Sequence, residues 1–176
     1  KGYLPNETPR ATYAAMVSRF DRNVGLILDE LDAAGVADDT IVVVTSDNGS
    51  TFGIGGYDMK FFDGTGGRRG HKCNLYEGGI RVPFIVSWPG HVAAGSSDDT
   101  PVANWDLMPT LLSLADAESK AATDGIHLSP VLLGTGQSPA RDHPHREYPA
   151  GGSPQAVRVG RGKGVSPGLH PHPRPP

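Results

Sequence analysis

The chain has 176 residues and a formal net charge of −3, which is the size of one ordinary domain. Its 37% hydrophobic and 20% charged residues exclude a highly charged disordered chain, and the small negative charge gives no basis for a nucleic-acid partner. No run approaches the roughly 18 apolar residues that cross a membrane, so we expect no membrane span. The single cysteine, Cys73, excludes an internal disulfide and a cysteine-cage zinc site.

Proline is distributed unevenly. Nine of the sixteen prolines fall between Pro139 and Pro176. This distribution predicts that residues 1–136 are folded and that the last forty residues contain much less regular structure. The final stretch, 166–176, has one aliphatic residue among many prolines. Such a composition can bury little and cannot form a helix or a central strand. We therefore expect a disordered proline-rich tail at 166–176.

The first element in chain order is a long helix. Thr8-Pro9 predicts its start, with a hydroxyl N-cap and proline at the first helical position, and Gly35 predicts its end. Between them the apolar residues recur on a 3.6-residue period. They are Tyr13, Met16, Val17, Phe20, Val24, Ile27, Leu28 and Leu31.

Strands and further helices follow. The β-branched run 40–45 predicts a buried parallel strand, and with the preceding helix it makes an α/β unit. Residues 49–79 are too glycine-rich for a regular element and predict a long functional or flexible loop. The sequence then predicts a second strand at 82–87, a short helix at 107–115, a weaker apolar segment at 126–133 and a strand fragment at 155–159.

The most informative polar pair is Asp47-Asn48, which directly follows the predicted strand 40–45. Ligands gather beyond the carboxyl ends of strands in open α/β sheets. A carboxylate beside an amide carbonyl offers two hard oxygen ligands, suited to Ca²⁺ or Mg²⁺. The alternative is a plain turn, since Asn-Gly is a common turn dipeptide, and from spacing alone the turn is favoured. Calcium also takes about six to eight oxygen ligands, so most must come from elsewhere.

A basic cluster follows in the glycine-rich stretch. It contains Arg68, Arg69, His71 and Lys72, and cations on such a loop are suited to holding an oxyanion such as sulfate or phosphate. A solvated basic loop explains the same composition, and composition alone favours it.

Longer motifs help to interpret both the Asp47-Asn48 pair and the basic cluster. The strings Val-Val-Val-Thr-Ser-Asp-Asn-Gly at 42–49, Arg-Gly-His-Lys at 69–72 and Leu-Tyr-Glu-Gly-Gly-Ile-Arg-Val-Pro-Phe at 75–84 closely resemble the arylsulfatase family. Trp-Pro-Gly at 88–90 and Asp-Leu-Met-Pro-Thr at 106–110 continue the resemblance. The arylsulfatase and N-acetylgalactosamine-6-sulfatase branch is the nearest.

The resemblance implies an α/β, alkaline-phosphatase-like fold and hydrolysis of sulfate monoesters on a sulfated small molecule or glycan. Asp47 and Asn48 match calcium ligands of the family, with Mg²⁺ as second choice, and Lys72 matches the lysine that contacts the substrate's sulfate. Glu77 and Arg81 match the motif in a structural role. Residues 1–136 resemble the C-terminal part of the catalytic domain and 137–165 the start of a smaller C-terminal subdomain. A periplasmic, secreted or lysosomal location is usual among such relatives.

The family's nucleophile has no match here. It is a formylglycine made from a Cys/Ser-x-Pro-x-Arg motif, whereas Cys73 is followed by Asn-Leu-Tyr-Glu. We therefore expect the formylglycine upstream of this chain, and the chain alone to be inactive. Two alternatives stay open: a phosphate-ester hydrolase of the same superfamily, and a non-catalytic sulfatase-like binding module.

Overall fold

A computed structural model describes residues 6–118, 122–139, 145–147 and 158–160. The chain divides into two compact units, Lys1–Pro139 and Ala140–Pro176. The elements in chain order are α1 (Pro9–Ala33), β1 (Val42–Thr45), α2 (Met59–Phe62), α3 (Glu77–Ile80), β2 (Phe84–Ser87), a 3₁₀ turn (Asn104–Asp106), α4 (Leu107–Leu114), α5 (Ser129–Leu132), β3 (His145–Glu147) and β4 (Arg158–Gly160). Among these elements, no helix is long and apolar enough for a membrane span.

Helix α1 begins and ends where the sequence predicts. Pro9 occupies the first turn, and Gly35 follows the last turn at φ +67° while its N–H donates to the Asp32 carbonyl at 3.0 Å. The predicted hydroxyl cap is wrong, because the Thr8 side chain makes no capping hydrogen bond. The carboxamide of Asn6 instead accepts from the Thr8 N–H at 2.9 Å.

The N-terminal end of α1 is attached to the segment around α2. The ring of Tyr13 packs 4.5 Å from that of Tyr57 and 4.7 Å from that of Phe62, measured between centroids. Arg10 donates to the carboxylate of Asp58 at 2.6 Å. Elsewhere α1 is open, and none of its 25 residues is buried.

Strands β1 and β2 form an antiparallel pair in which Val42 faces Ser87 and Thr45 faces Phe84. The prediction of a buried parallel strand at 40–45 is therefore wrong in this pairing, and all four β1 residues are half-buried. A parallel neighbour needs a connection that runs back along the strand. Here the start of β2 lies opposite the end of β1, since Thr45 faces Phe84, so the chain re-enters the sheet at the end where it left.

The loop between the strands is more ordered than its glycine content predicts. The prediction that it holds no regular element is wrong, because α2 and α3 lie within it. The carboxylate of Asp58 caps α2 by accepting from the Phe61 N–H at 2.9 Å. Two glycines of α3, Gly78 and Gly79, are buried.

A polar hub joins α4 to the segment before α5. The fully buried Asp106 accepts from the Ala103 N–H at 2.8 Å and from the Ile126 N–H at 3.0 Å. Thr110, also buried, donates to the Asp106 carbonyl at 2.6 Å and accepts from the Leu128 N–H at 2.9 Å. The predicted helix at 107–115 is confirmed, and α5 lies in the apolar segment 126–133.

In the second unit, β3 and β4 pair antiparallel with His145 opposite Gly160. The predicted strand at 155–159 overlaps β4 in its last two residues. The predicted tail at 166–176 lies outside the described residues, and the boundaries predicted at 136 and 165 stay predictions.

Candidate functional site

Asp47 and Asn48 lie directly after β1. The Asp47 side chain is exposed and Asn48 is half-buried. The Asn48 amide nitrogen Nδ2 donates to Asp47 Oδ1 at 2.5 Å, so the two side chains meet in front of the strand. The hydroxyl of Ser46 donates to the Asn48 carbonyl at 2.8 Å, which closes the turn that carries the pair.

Two other parts of the chain hold this turn. Gly49 N–H donates to the Gly79 carbonyl of α3 at 2.9 Å. From 58 positions further along the chain, the side-chain amide of Asn104 donates to the Ser46 carbonyl at 3.2 Å. Asn104 begins the 3₁₀ turn that the buried Asp106 anchors. The polar hub around Asp106 is therefore linked to the turn that carries Asp47.

The backbone of Lys72 lies against the same turn. Its N–H donates to the Ser50 carbonyl at 2.7 Å, three residues beyond Asp47, and its side chain is exposed. The structure thus brings Lys72 and the Asp47-Asn48 pair to one end of β1, although 25 positions separate Asp47 from Lys72 in the sequence.

Lys72 lies within a tight turn that begins at His71. Asn74 N–H donates to the His71 carbonyl at 2.9 Å, and the Asn74 carboxamide accepts from the His71 N–H at 3.1 Å. Cys73, at φ +74°, takes the left-handed conformation inside this turn. His71 Nδ1 lies 2.7 Å from the Lys72 carbonyl, which can only accept, so Nδ1 carries the proton. These contacts fix the backbone that presents Lys72.

Three glycines allow the loop segments to approach. A Cβ on Gly49 would collide with the carbonyl of Gly78, and a Cβ on Gly78 would collide with the carbonyl of Gly70. A Cβ on Gly79 would meet the carbonyls of His71 and Asn74. Backbone packed on backbone at this distance accepts only glycine, so these residues set the position of the Lys72 turn relative to Asp47.

The remaining charges of the motif are partnered. Arg81 pairs with Glu77 at 3.2 Å, with both side chains mostly exposed, as expected for a structural pair one helical turn apart. The guanidinium of Arg69 lies 3.7 Å from the centre of the Tyr76 ring, a cation–π contact. Lys72 therefore lies among cations that are already engaged with neighbouring side chains.

The donor chemistry at Asp47 and Asn48 suits calcium or magnesium, which prefer oxygen ligands. Their number is incomplete, because the described residues hold no group of three or more His, Cys, Asp or Glu placed for a metal. The Asn48 nitrogen, not its oxygen, faces the carboxylate. Offering both oxygens to one cation would require a half-turn of that amide.

Sequence reasoning missed the residues that build the site from outside the motif. Asn104 carries no local signal, because its partner Ser46 lies 58 positions away. The contacts of Asn74 with His71 and the packing of Gly49 on α3 also could not be predicted from the sequence. The clustering of glycines around the candidate ligands was the one available signal. It predicted an irregular loop, functional or flexible, where the glycines in fact permit close packing.

Comparison with known proteins gives the family. The model of the Sulfatase family matches residues 3–117, and the chain belongs to the sulfatase family. Rat (Rattus norvegicus) steryl-sulfatase is 41% identical over 125 residues, covering 69% of this chain and 22% of the relative. Human arylsulfatase A is 37% identical over 133 residues, covering 74% of this chain and 25% of the relative. Human N-acetylgalactosamine-6-sulfatase is 38% identical over 130 residues, covering 70% and 24%.

Solved structures agree. The crystal structure of Ps i-CgsB in complex with k-i-k-neocarrahexaose has a TM-score of 0.65 and 34% identity, covering 80% of this chain and 30% of that chain. The structure of BT4656 in complex with its substrate D-glucosamine-2-N,6-O-disulfate has a TM-score of 0.61 and 31% identity, covering 80% and 26%. The predicted family and the α/β sulfatase domain are confirmed. The chain spans about a quarter of the length of its curated relatives, whose similar identities give the family and not the branch.

Proposed function

We propose that this chain contributes the metal-binding edge and the sulfate-binding lysine of a sulfuric ester hydrolase. In this proposal Asp47 and Asn48 are calcium ligands, with Mg²⁺ as second choice, and Lys72 contacts the sulfate of the substrate. The chain is then a fragment of an alkaline-phosphatase-like domain, with a smaller C-terminal subdomain starting at 137–165. The single observation that carries the proposal is the hydrogen bond from the Lys72 N–H to the Ser50 carbonyl at 2.7 Å. It joins the turn that carries Lys72 to the turn that carries Asp47 and Asn48.

The chemistry of Lys72 follows from its position. Its ammonium is a compact charge with three donors on a flexible stem, carried by a turn whose backbone is fixed at His71, Asn74 and Ser50. A sulfate bound in front of β1 would accept hydrogen bonds from this group. Because charge develops on the ester oxygens during cleavage, a donor already in place lowers the barrier without reorganisation.

The turn that carries Asp47 and Asn48 would hold the cation. Asp47 supplies a charged oxygen, and Asn48 supplies a neutral one once its amide has turned. A bound calcium ion would add positive charge close to the sulfate. Since calcium takes about six to eight oxygens, the other ligands would come from outside this pair, and the chain alone should bind calcium weakly.

The relatives support the proposed substrate class, and the nucleophile is inferred from the family resemblance alone. Ps i-CgsB was solved with k-i-k-neocarrahexaose and BT4656 with its substrate D-glucosamine-2-N,6-O-disulfate, so we propose a sulfated small molecule or glycan as the substrate. The formylglycine that the family resemblance implies would come from protein outside this chain. Cys73 is exposed but does not stand in the motif that forms one.

The binding half of the proposal can be tested on the 176-residue chain. In amide NMR spectra, added calcium should shift the signals of Asp47 and Asn48, and sulfate added with calcium should shift that of Lys72. Asp47→Asn should abolish the calcium-dependent shifts. The matched control is Asp29→Asn on α1, another exposed carboxylate, which should leave them unchanged.

The outcomes separate the hypotheses. Calcium shifts that persist in Asp47→Asn would remove the metal role, and sulfate shifts that avoid Lys72 would leave the lysine in a solvated loop. Inorganic phosphate added in place of sulfate tests the phosphate-ester alternative, because a clear preference for phosphate would contradict a sulfatase site.

A further inference from the structure

Among the residues that the structure describes, Tyr57 is the one aromatic side chain that is buried, with 8% of its surface exposed. Its hydroxyl lies 3.0 Å from the hydroxyl of Ser50, and either group can donate. A buried polar group is normally hydrogen-bonded, because leaving it unpaired is costly. Ser50 is that partner, so the phenol of Tyr57 reaches the segment that follows the Asp47-Asn48 turn.

The ring of Tyr57 is held from two sides. It packs 4.5 Å from the ring of Tyr13 on α1, and it stacks on the ring of Phe62 on α2 with 5.5 Å between centroids and 9° between the planes. The Tyr57 N–H also donates to the Ile54 carbonyl at 3.1 Å. Because its ring and its backbone are both engaged, the packing of α1 and α2 fixes the position of the Tyr57 hydroxyl.

The backbone of Gly64 lies over the two hydroxyls. A Cβ on Gly64 would lie 2.5 Å from Ser50 Oγ and 2.7 Å from the Tyr57 hydroxyl oxygen, so the peptide occupies the space that a side chain would need. Ser50 is itself half-buried. The bond between the two hydroxyls is therefore partly shielded from water, where a hydrogen bond is stronger than at an exposed site.

Ser50 connects this bond to the turn that carries Lys72. Its hydroxyl is bonded to Tyr57, and its carbonyl accepts from the Lys72 N–H at 2.7 Å. We propose that Tyr57 is a positioning residue that acts through Ser50 and holds Lys72 where it can bind a sulfate. This inference rests on the role proposed for Lys72 and extends the site to the aromatic cluster at the N-terminal end of α1.

Removing the Tyr57 hydroxyl should loosen this arrangement while the ring stays in place. Tyr57→Phe keeps both aromatic contacts, but Ser50 loses its partner, and the carbonyl that accepts from the Lys72 N–H becomes less fixed. One neutral hydrogen bond changes an equilibrium by about three- to tenfold. The apparent Kd of a ligand rises as the fraction of binding-competent protein falls, so the loosened turn should bind sulfate more weakly.

The experiment titrates the 176-residue chain with inorganic sulfate in the presence of calcium and follows the amide signal at position 72 by NMR. Tyr57→Phe should raise the apparent Kd for sulfate by about three- to tenfold. Ser50→Ala should have a similar effect, and it keeps the whole aromatic cluster if Tyr57→Phe does not fold. The double variant should bind about as tightly as either single variant, because both changes remove the same bond.

Amide hydrogen exchange distinguishes positioning from a general loss of stability. In Tyr57→Phe the Lys72 N–H should exchange with solvent faster, whereas the amides of α4 should exchange as before, since global destabilisation would speed both. The matched control is Tyr76→Phe. Tyr76 is 47% exposed, and its ring, which phenylalanine retains, makes the contact with Arg69, so this variant should bind sulfate as the unmodified chain does.

Lys72→Ala in the same titration separates this inference from the proposed function. If the chain binds no sulfate, or if Lys72→Ala binds it as tightly as the unmodified chain, the role of Lys72 fails and this inference fails with it. If Lys72→Ala weakens binding and the Tyr57 and Ser50 variants do not, only the positioning role of Tyr57 is overturned. That role is also overturned if the two single effects add fully in the double variant, because the hydroxyls would then act independently.

Discussion

The N–H of Gly49 donates to the carbonyl of Gly79 at 2.9 Å, and this bond joins the turn after β1 to helix α3. A Cβ on Gly49 would collide with the neighbouring carbonyl of Gly78, so the bond requires glycine. On its other side, Gly78 N–H donates to the Arg69 carbonyl at 2.8 Å. Helix α3 is therefore the link between the segment that carries Asp47 and the segment that carries Lys72.

Replacing Gly78 tests this link. In Gly78→Ala the new methyl would meet the Gly70 carbonyl, which is backbone and cannot swing aside. Overpacking of this kind typically costs about 1–3 kcal/mol, so the free energy of unfolding in urea should fall by about that amount. The matched control is Gly25→Ala on α1, where a Cβ meets nothing within 4 Å. That change should raise stability by about 0.5–1 kcal/mol, since alanine favours a helix over glycine. Equal stabilities of the two variants would contradict close packing at α3.

The proposed role of Lys72 predicts a kinetic effect. In rat steryl-sulfatase whose matched segment is replaced by this chain, Lys72→Ala should lower kcat on an aryl sulfate by about 10²–10³, the usual loss on removing one preorganised donor. The control is Lys60→Ala, because Lys60 is an exposed lysine on α2, and its rate should not change. An unchanged rate for Lys72→Ala would assign the lysine to the solvated surface.

The sequence predicted the elements whose signals are local. Thr8-Pro9 and Gly35 predicted the bounds of α1, and the β-branched run predicted β1. The partner of β1 was not predictable in this way, because pairing depends on how residues 46–83 return to the sheet. A run that is apolar on both faces is typical of a parallel interior strand, and here the same residues line an open groove.

The candidate site shows the same division. Asp47, Asn48 and Lys72 were found because they lie in long motifs. Asn104 and Asn74 act through bonds to the backbone of distant or neighbouring residues, and asparagine is common in ordinary turns. Their contribution depends on tertiary position, which residue type and spacing do not encode.

Asp58 predicts a pH dependence of stability. Its bond from the Phe61 N–H, together with the Arg10 guanidinium, lowers the pKa of this carboxyl below its ordinary value of 3.8. A carboxyl with a lowered folded-state pKa stabilises the fold above its unfolded pKa, and this contribution is lost as the pH falls through the lowered value. NMR titration should therefore give Asp58 a lower midpoint than the ordinary carboxyl value.

The variant Asp58→Asn isolates this effect. Asparagine retains an oxygen for the cap of α2 but has no charge for Arg10, so the loss of stability between about pH 4 and pH 2 should be smaller than in the unmodified chain. Asp29→Asn on the open face of α1 serves as the control. An acid transition that is the same in both variants would show that Asp58 titrates without a preference for the folded state.

The buried hydroxyl of Thr110 gives the last prediction. Its Oγ1 accepts from the Leu128 N–H at 2.9 Å while donating to the Asp106 carbonyl at 2.6 Å, so one atom joins α4 to the segment before α5. Thr110→Val keeps the shape of the side chain but leaves the Leu128 N–H without this acceptor in a buried position. An unsatisfied buried donor costs about 1–3 kcal/mol, and urea unfolding should show a loss of that size. Thr110→Ser retains the hydroxyl and loses one methyl group, about 1 kcal/mol of buried apolar surface. A valine variant more stable than the serine variant would show that the methyl group, not the hydroxyl, holds α4 to this segment.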